Sequence, residues 1–87
     1  GTFGGRFIDI LDNDITSLGV QRWVVELIGG ASHINVLDNR LLSWDDPPIN
    51  NPPTHAHIQH RNQGNGLPKK VNAARNIYLG VGLENNL

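Results

Sequence analysis

The chain has no cysteine and no methionine among its 87 residues, and its aromatic rings are two Trp, two Phe and one Tyr. Without thiols there is neither a disulfide nor a thiolate metal site, and either redox compartment stays open. No apolar run approaches the roughly 18 residues that a membrane span requires, so no membrane span is expected. Charged residues make up 17% of the chain, with a net charge of −1. That balance gives no overall attraction to nucleic acid or to an anionic membrane, and the basic residues are not interleaved with aromatics; no nucleic-acid partner is expected. Gly-x-Gly-x-x-Gly, a P-loop and Gly-x-Ser-x-Gly are all missing. Residues Gly1-Thr2-Phe3-Gly4-Gly5 lack the basic and apolar regions of a signal peptide. The lack even of an initiator methionine leads us to expect a processed chain or a piece of a longer one. What remains, 38% hydrophobic, suits one small domain with a modest core.

What the chain does contain is an internal repeat. Phe7-Ile8-Asp9-Ile10-Leu11-Asp12-Asn13-Asp14-Ile15 and His33-Ile34-Asn35-Val36-Leu37-Asp38-Asn39-Arg40-Leu41 share one template: aliphatic, any, aliphatic, any, any, Asn, any, aliphatic. Ile8 and Ile34, Ile10 and Val36, Asn13 and Asn39, and Ile15 and Leu41 each stand 26 residues apart. Alternating aliphatics put one face of a short strand inward. Asparagine tolerates left-handed backbone and bonds its own main chain, which suits the sharp turn that follows. If successive rounds stack, equivalent Asn amides fall in register and can bond one another as a ladder. A third copy is expected at Val81-Gly82-Leu83-Glu84-Asn85-Asn86, where Asn86 follows Asn39 by 47 residues, one round of 26 plus 21 of loop.

Between the template copies a second strand is expected at Trp23-Val24-Val25-Glu26-Leu27, ended by Gly29-Gly30. Its counterpart is His55-Ala56-His57-Ile58-Gln59, with Ala56 and Ile58 inward. The copies then occupy residues 6–15, 32–41 and 77–87, all within one domain. Residues 43–54, dense in proline, and residues 61–74, rich in turn formers, are expected as long loops.

The template Ile8-x-Ile10-x-x-Asn13-x-Ile15 and its copies resemble the right-handed parallel β-helix (pectin-lyase-like) superfamily, across most of the chain. Its members include polysaccharide lyases, some glycoside hydrolases and fructotransferases, uronan epimerases and phage tailspikes. The resemblance implies an all-β solenoid of two and a half to three coils, incomplete without neighbouring coils or another chain at its ends. It also implies a polysaccharide partner bound along the outer face, and a secreted, cell-surface or phage-tail location. Activity would be that of part of a lyase, glycosidase or epimerase. The alternative is a stalk, adhesin or tailspike segment without catalysis, and a third possibility is a self-associating sheet module.

Several residues are candidates for the chemistry. Glu26 and His57 are expected in equivalent outward slots of adjacent coils, about 4.8 Å apart, where a carboxylate beside an imidazole suits acid–base work. His55 and Gln59 flank His57, and Arg22 lies on the Glu26 side. Without a site, the same residues form a surface contact between coils. Trp44-Asp45-Asp46 offers a stacking platform with two carboxylates, the components of a glycosidase site. Arg61, Lys69, Lys70 and Arg75 can neutralise a uronate and the charge that develops in β-elimination, or can be solvated loop charges. Tyr78 can serve as an acid, as a platform or as a cover for the core. His55-x-His57 has a metal-ligand spacing, and Asp9, Asp12, Asp14 and Asp38 raise calcium. The aspartates fit turns better, and no metal or other cofactor is expected.

Overall fold

The computed structural model describes residues 6–17, 23–43, 56–80 and 83–85, and in them the chain is all-β. Nine strands follow in order: β1 (Arg6–Leu11), β2 (Asp14–Ser17), β3 (Trp23–Ile28), β4 (Ser32–Leu37), β5 (Arg40–Ser43), β6 (Ala56–Arg61), β7 (Lys69–Ala74), β8 (Ile77–Gly80) and β9 (Leu83–Asn85). They make three parallel sheets of three strands, ordered β1-β4-β7, β2-β5-β8 and β3-β6-β9. Each run of three consecutive strands therefore gives one strand to every sheet, and the chain is laid down in three layers.

The 26-residue repeat sets the register of the first two layers. Ile8 lies beside Ile34, Ile10 beside Val36 and Ile15 beside Leu41. The third layer departs from expectation. It is built on Val71, Ala73, Asn76 and Tyr78, which lie beside Ile34, Val36, Asn39 and Leu41, so it begins at Lys69 and not at residue 77, and Leu83, expected in its aliphatic slot, lies instead beside Ala56 on the third sheet. The expected loop 61–74 accordingly ends early, because Lys69 already begins β7. Connection lengths explain the shift. The chain takes 6 positions from Ser17 to Trp23 but 13 from Ser43 to Ala56, so β3 and β6 stand 33 apart. It then takes 4 positions from Ile28 to Ser32 but 8 from Arg61 to Lys69, which carries the spacing to 37.

The corner between the first and second sheets is the same in all three layers. Asp12, Asp38 and Arg75 hold φ of 54°, 58° and 56°, the left-handed conformation that lets two residues turn the chain sharply from one sheet into the next. The asparagine that follows locks the corner. Asn13 Nδ2 donates to Asn39 Oδ1 at 3.1 Å, and Asn39 Nδ2 donates to Asn76 Oδ1 at 3.0 Å. Each lower main-chain N–H joins in, from Asn13 to Asn39 Oδ1 at 2.9 Å and from Asn39 to Asn76 Oδ1 at 3.0 Å. The ladder expected from the sequence is formed between Asn13 and Asn39, its third rung is Asn76 and not the expected Asn86, and it satisfies main-chain donors that a sharp corner would otherwise orphan.

Inside, Val25, Leu27, Ala31, Ile34, Val36, Leu41 and Ile58 form one buried cluster, with Ile8, Ile10, Ile15, Val71, Ala73 and Tyr78 packed against it from the outer layers. A fully buried aliphatic of this kind contributes about 1.5–3 kcal/mol. Close approach fixes two glycines. At Gly80, with φ of 90°, a Cβ would stand 1.7 Å from the Ser43 carbonyl oxygen. At Gly29 it would stand 1.8 Å from that of Gly66. The loop carrying Gly66 is folded by Asn62, whose Oδ1 accepts from the Gly64 and Gly66 N–H groups at 2.8 and 3.1 Å.

Candidate functional site

On the β3-β6-β9 sheet the register differs from expectation by two residues. Glu26 lies beside Gln59, Leu27 beside His60 and Val25 beside Ile58. Glu26 and His57 are therefore not neighbours across the strands. The 33-residue spacing, set by the long β5–β6 connection, moves His57 two positions down the strand from Glu26. Because the slip is even, Ala56 and Ile58 keep their inward orientation and are fully buried. Glu26 is 8% exposed and faces Arg61 instead, with Arg61 Nη1 3.5 Å from Glu26 Oε2. Gln59 is half-buried beside them, its Nε2 3.4 Å from the His60 carbonyl oxygen.

His57 is only 2% exposed. Its Nδ1 lies 3.0 Å from the Leu83 carbonyl oxygen and its Nε2 2.7 Å from that of Leu79. Both ring nitrogens are thus occupied by main-chain acceptors, and a neutral imidazole donates to one of them at a time. Its ring meets Tyr78 edge-on at 5.3 Å. Tyr78 packs against the core, and its hydroxyl accepts from Asn76 Nδ2 at 3.3 Å. Of the uses foreseen for Tyr78, the structure places it over the core. Arg22, Trp44, Asp45, Asp46 and His55 lie outside the described residues.

The cationic and acidic candidates are divided among different tasks. Arg75 makes a two-pronged ion pair with Asp38, Nε to Oδ1 at 2.7 Å and Nη2 to Oδ2 at 3.0 Å. Its guanidinium holds the Asp38 carboxyl below the usual carboxylate value. Arg40 lies 3.3 Å from Asp14. The aspartates suggested for calcium are spread over strands and corners. Among the described residues, no group of three or more His, Asp or Glu side chains is gathered as a metal would need.

An open groove of about 350 Å³ does exist, on the outer side of the β1-β4-β7 sheet, lined by Phe7, Asp9, His33, Asn35 and Lys70. The Phe7 and His33 rings lie 4.7 Å apart with 31° between their planes, and Phe7 is 75% exposed. Asn35 Nδ2 donates to Asp9 Oδ1 at 3.0 Å. Phe7, His33 and Lys70, one from each layer, have φ of 55°, 55° and 56°. Large side chains are held in this conformation at a cost of about 1–2 kcal/mol each. Such outliers cluster where a surface is shaped for use. Phe7 and His33 fall between the paired positions Arg6–Ser32 and Ile8–Ile34, so each interrupts strict alternation and presents its side chain to the groove.

Sequence reasoning raised Asp9 only for calcium and Lys70 as a cation for a uronate or a solvated loop charge, and it did not single out Phe7, His33 or Asn35. The 26-residue repeat contained the signal. It sets Phe7 over His33, just before the aliphatic template, and Asp9 over Asn35, at the variable position inside it. A search of family models, of curated proteins and of solved structures finds no match to this chain.

Proposed function

We propose that the chain is a segment of a right-handed parallel β-helix that binds a polysaccharide on the outer face of β1, β4 and β7. The solenoid reading is supported by three layers that each give one strand to every sheet, and by the asparagine ladder at the shared corner. The observation that carries the binding reading is the groove. Its exposed Phe7 ring beside His33 offers an apolar platform for the C–H face of a sugar. Asp9 and Asn35, fixed to one another, offer acceptors and donors for neighbouring hydroxyls. Lys70 adds a cation that favours an acidic sugar. The layers stack along one axis about 4.8 Å apart, so a linear polymer can lie across all three.

Binding is the activity these residues support. Glu26 is paired with Arg61 and His57 with two carbonyl groups, an arrangement that leaves neither poised as the acid or base of a cleavage or epimerisation. A secreted, cell-surface or phage-tail setting belongs to the same reading. The test is affinity electrophoresis of the chain through gels containing polygalacturonate, alginate or a neutral fructan, with Phe7→Ala and Asp9→Ala alongside. Retardation by the acidic polymers, lost in both variants while circular dichroism stays unchanged, is the expected result. Migration unaffected by any polymer overturns the proposal and leaves a structural stalk as the better account.

A further inference from the structure

Among the described residues, β1, β2 and β3 each pair with a strand on one side alone, and so do β7, β8 and β9. Edges of this kind are templates for another strand. Here the two ends carry unlike chemistry. The first layer carries Arg6, Asp9, Asp12, Asp14 and Glu26, an acidic balance, and the last carries Lys69, Lys70, Arg75 and Glu84, a basic one. We propose that copies of this chain stack head to tail, with the β7, β8 and β9 edges of one copy pairing with the β1, β2 and β3 edges of the next.

Carrying the observed register one layer further sets every row of the last layer against a row of the first. Val71 meets Ile8, Ala73 meets Ile10 and Tyr78 meets Ile15, which continues the three apolar rows of the core. Asn72 meets Asp9 and repeats the Asn35–Asp9 bond. Arg75, already bonded to Asp38 on one side, meets Asp12 on the other. Within one copy Asp12 and Asp38 lie in adjacent layers, and stacking gives each a guanidinium neighbour. The asparagine row continues as well. Asn76 Nδ2 makes a 3.3 Å bond to its own Tyr78 hydroxyl, longer than the 3.0 and 3.1 Å amide bonds below it, and Asn13 of a following copy supplies the next amide. Lys70 comes over the exposed Phe7 ring, a favourable cation–ring contact. Rows on two sheets oppose the stack: on the third, Asn85 meets the buried Val25 and Glu84 meets Val24, and on the first, Lys69 meets Arg6. Lys69 and Arg6 are both exposed, and their long side chains can separate into solvent.

A head-to-tail contact uses two different surfaces, so it does not close on itself and grows. It can therefore be interrupted at either end independently. Asp12→Lys places a cation against Arg75 of the neighbouring copy. The left-handed backbone tolerates it, since Lys70 and Arg75 already hold the same φ. Asn72→Asp with Ala74→Glu places carboxylates against Asp9 and Leu11 at the other end. Sedimentation velocity is recorded over a range of concentrations, with circular dichroism verifying that each variant is folded. The unaltered chain is expected to form a growing series of sizes, and each variant alone a monomer. An equal mixture of the two variants, which together retain one intact end of each kind, is expected to give a complex of two copies and nothing larger. An unaltered chain that stays monomeric throughout, or a variant that associates by itself as the unaltered chain does, overturns the proposal.

Discussion

Replacing Asn39 by Ala should be the most damaging single change to the corner of the fold. The residue is 1% exposed, and its side chain makes four hydrogen bonds. Its Oδ1 accepts from the Asn13 main-chain N–H and from Asn13 Nδ2, and its Nδ2 donates to the Ile10 carbonyl at 2.9 Å and to Asn76 Oδ1. A net contribution of about 0.5–1.5 kcal/mol per bond, with buried main-chain groups left unpaired, places the loss at about 3–5 kcal/mol. A domain of 87 residues has roughly 4–13 kcal/mol to lose, so the variant should sit near the edge of folding. The comparison that tests the reasoning is graded. Asn13→Ala removes one side-chain bond, to Asn39 Oδ1, and should cost about 0.5–1.5 kcal/mol. Asn76→Ala removes its bonds to the Asn39 amide, the Val36 carbonyl and Tyr78, but from a half-buried position, and should fall between the two. Urea unfolding followed by circular dichroism gives the three midpoints. An Asn39→Ala cost no larger than that of Asn13→Ala would show that the ladder is decoration on a fold held by its aliphatic rows.

Two further changes probe the backbone and the surface charge. Gly80→Ala forces a Cβ into the Ser43 carbonyl oxygen at a left-handed position and should destabilise the chain by more than about 1 kcal/mol; a neutral effect in urea unfolding would mean that β8 is not held this close to β5. Asp38, whose carboxyl Arg75 holds below its ordinary value, contributes stability that is fully present above the unfolded-state value and is lost as pH falls through the lower folded one. Arg75→Ala should therefore flatten the acid limb of a stability-against-pH curve, and an unchanged limb would assign the acid sensitivity to other carboxylates.

Much of this organisation was legible in the sequence, and where it was not, the reason is physical. The aliphatic template and its asparagine are self-consistent over a fixed 26 residues, so the register of Ile8 with Ile34 and of Asn13 with Asn39 could be read directly. The third layer was missed because Ala73 and Tyr78 occupy the slots held below by Val36 and Leu41. Both still fit a core row, Ala73 by being small and Tyr78 by packing against the cluster and the His57 ring, but neither matches an aliphatic pattern. The asparagine alone, Asn76 after the left-handed Arg75, was the surviving mark. The Glu26–His57 pairing failed for a different cause. A parallel sheet fixes parity through burial but leaves its register free in steps of two unless a connection length sets it, and the long β5–β6 connection offers no internal repeat to measure against.

The groove shows the other side of that limit. Phe7, His33 and Lys70 share no chemistry, so side-chain type does not join them, yet each occupies the same left-handed position one layer above the last. What the layers conserve is a backbone conformation, and the side chains mounted on it vary. An aliphatic core demands like residues in successive layers because rows must interdigitate at constant volume. An outer row has no such constraint, and a ring, an imidazole and an ammonium can follow one another along the axis. Function in a stacked architecture is therefore expected where equivalent positions share backbone geometry but differ in side chain. The Phe7–His33–Lys70 row adds a left-handed backbone and a shared groove to that criterion, whereas Glu26 and Gln59 lie side by side in regular strands with ordinary backbone.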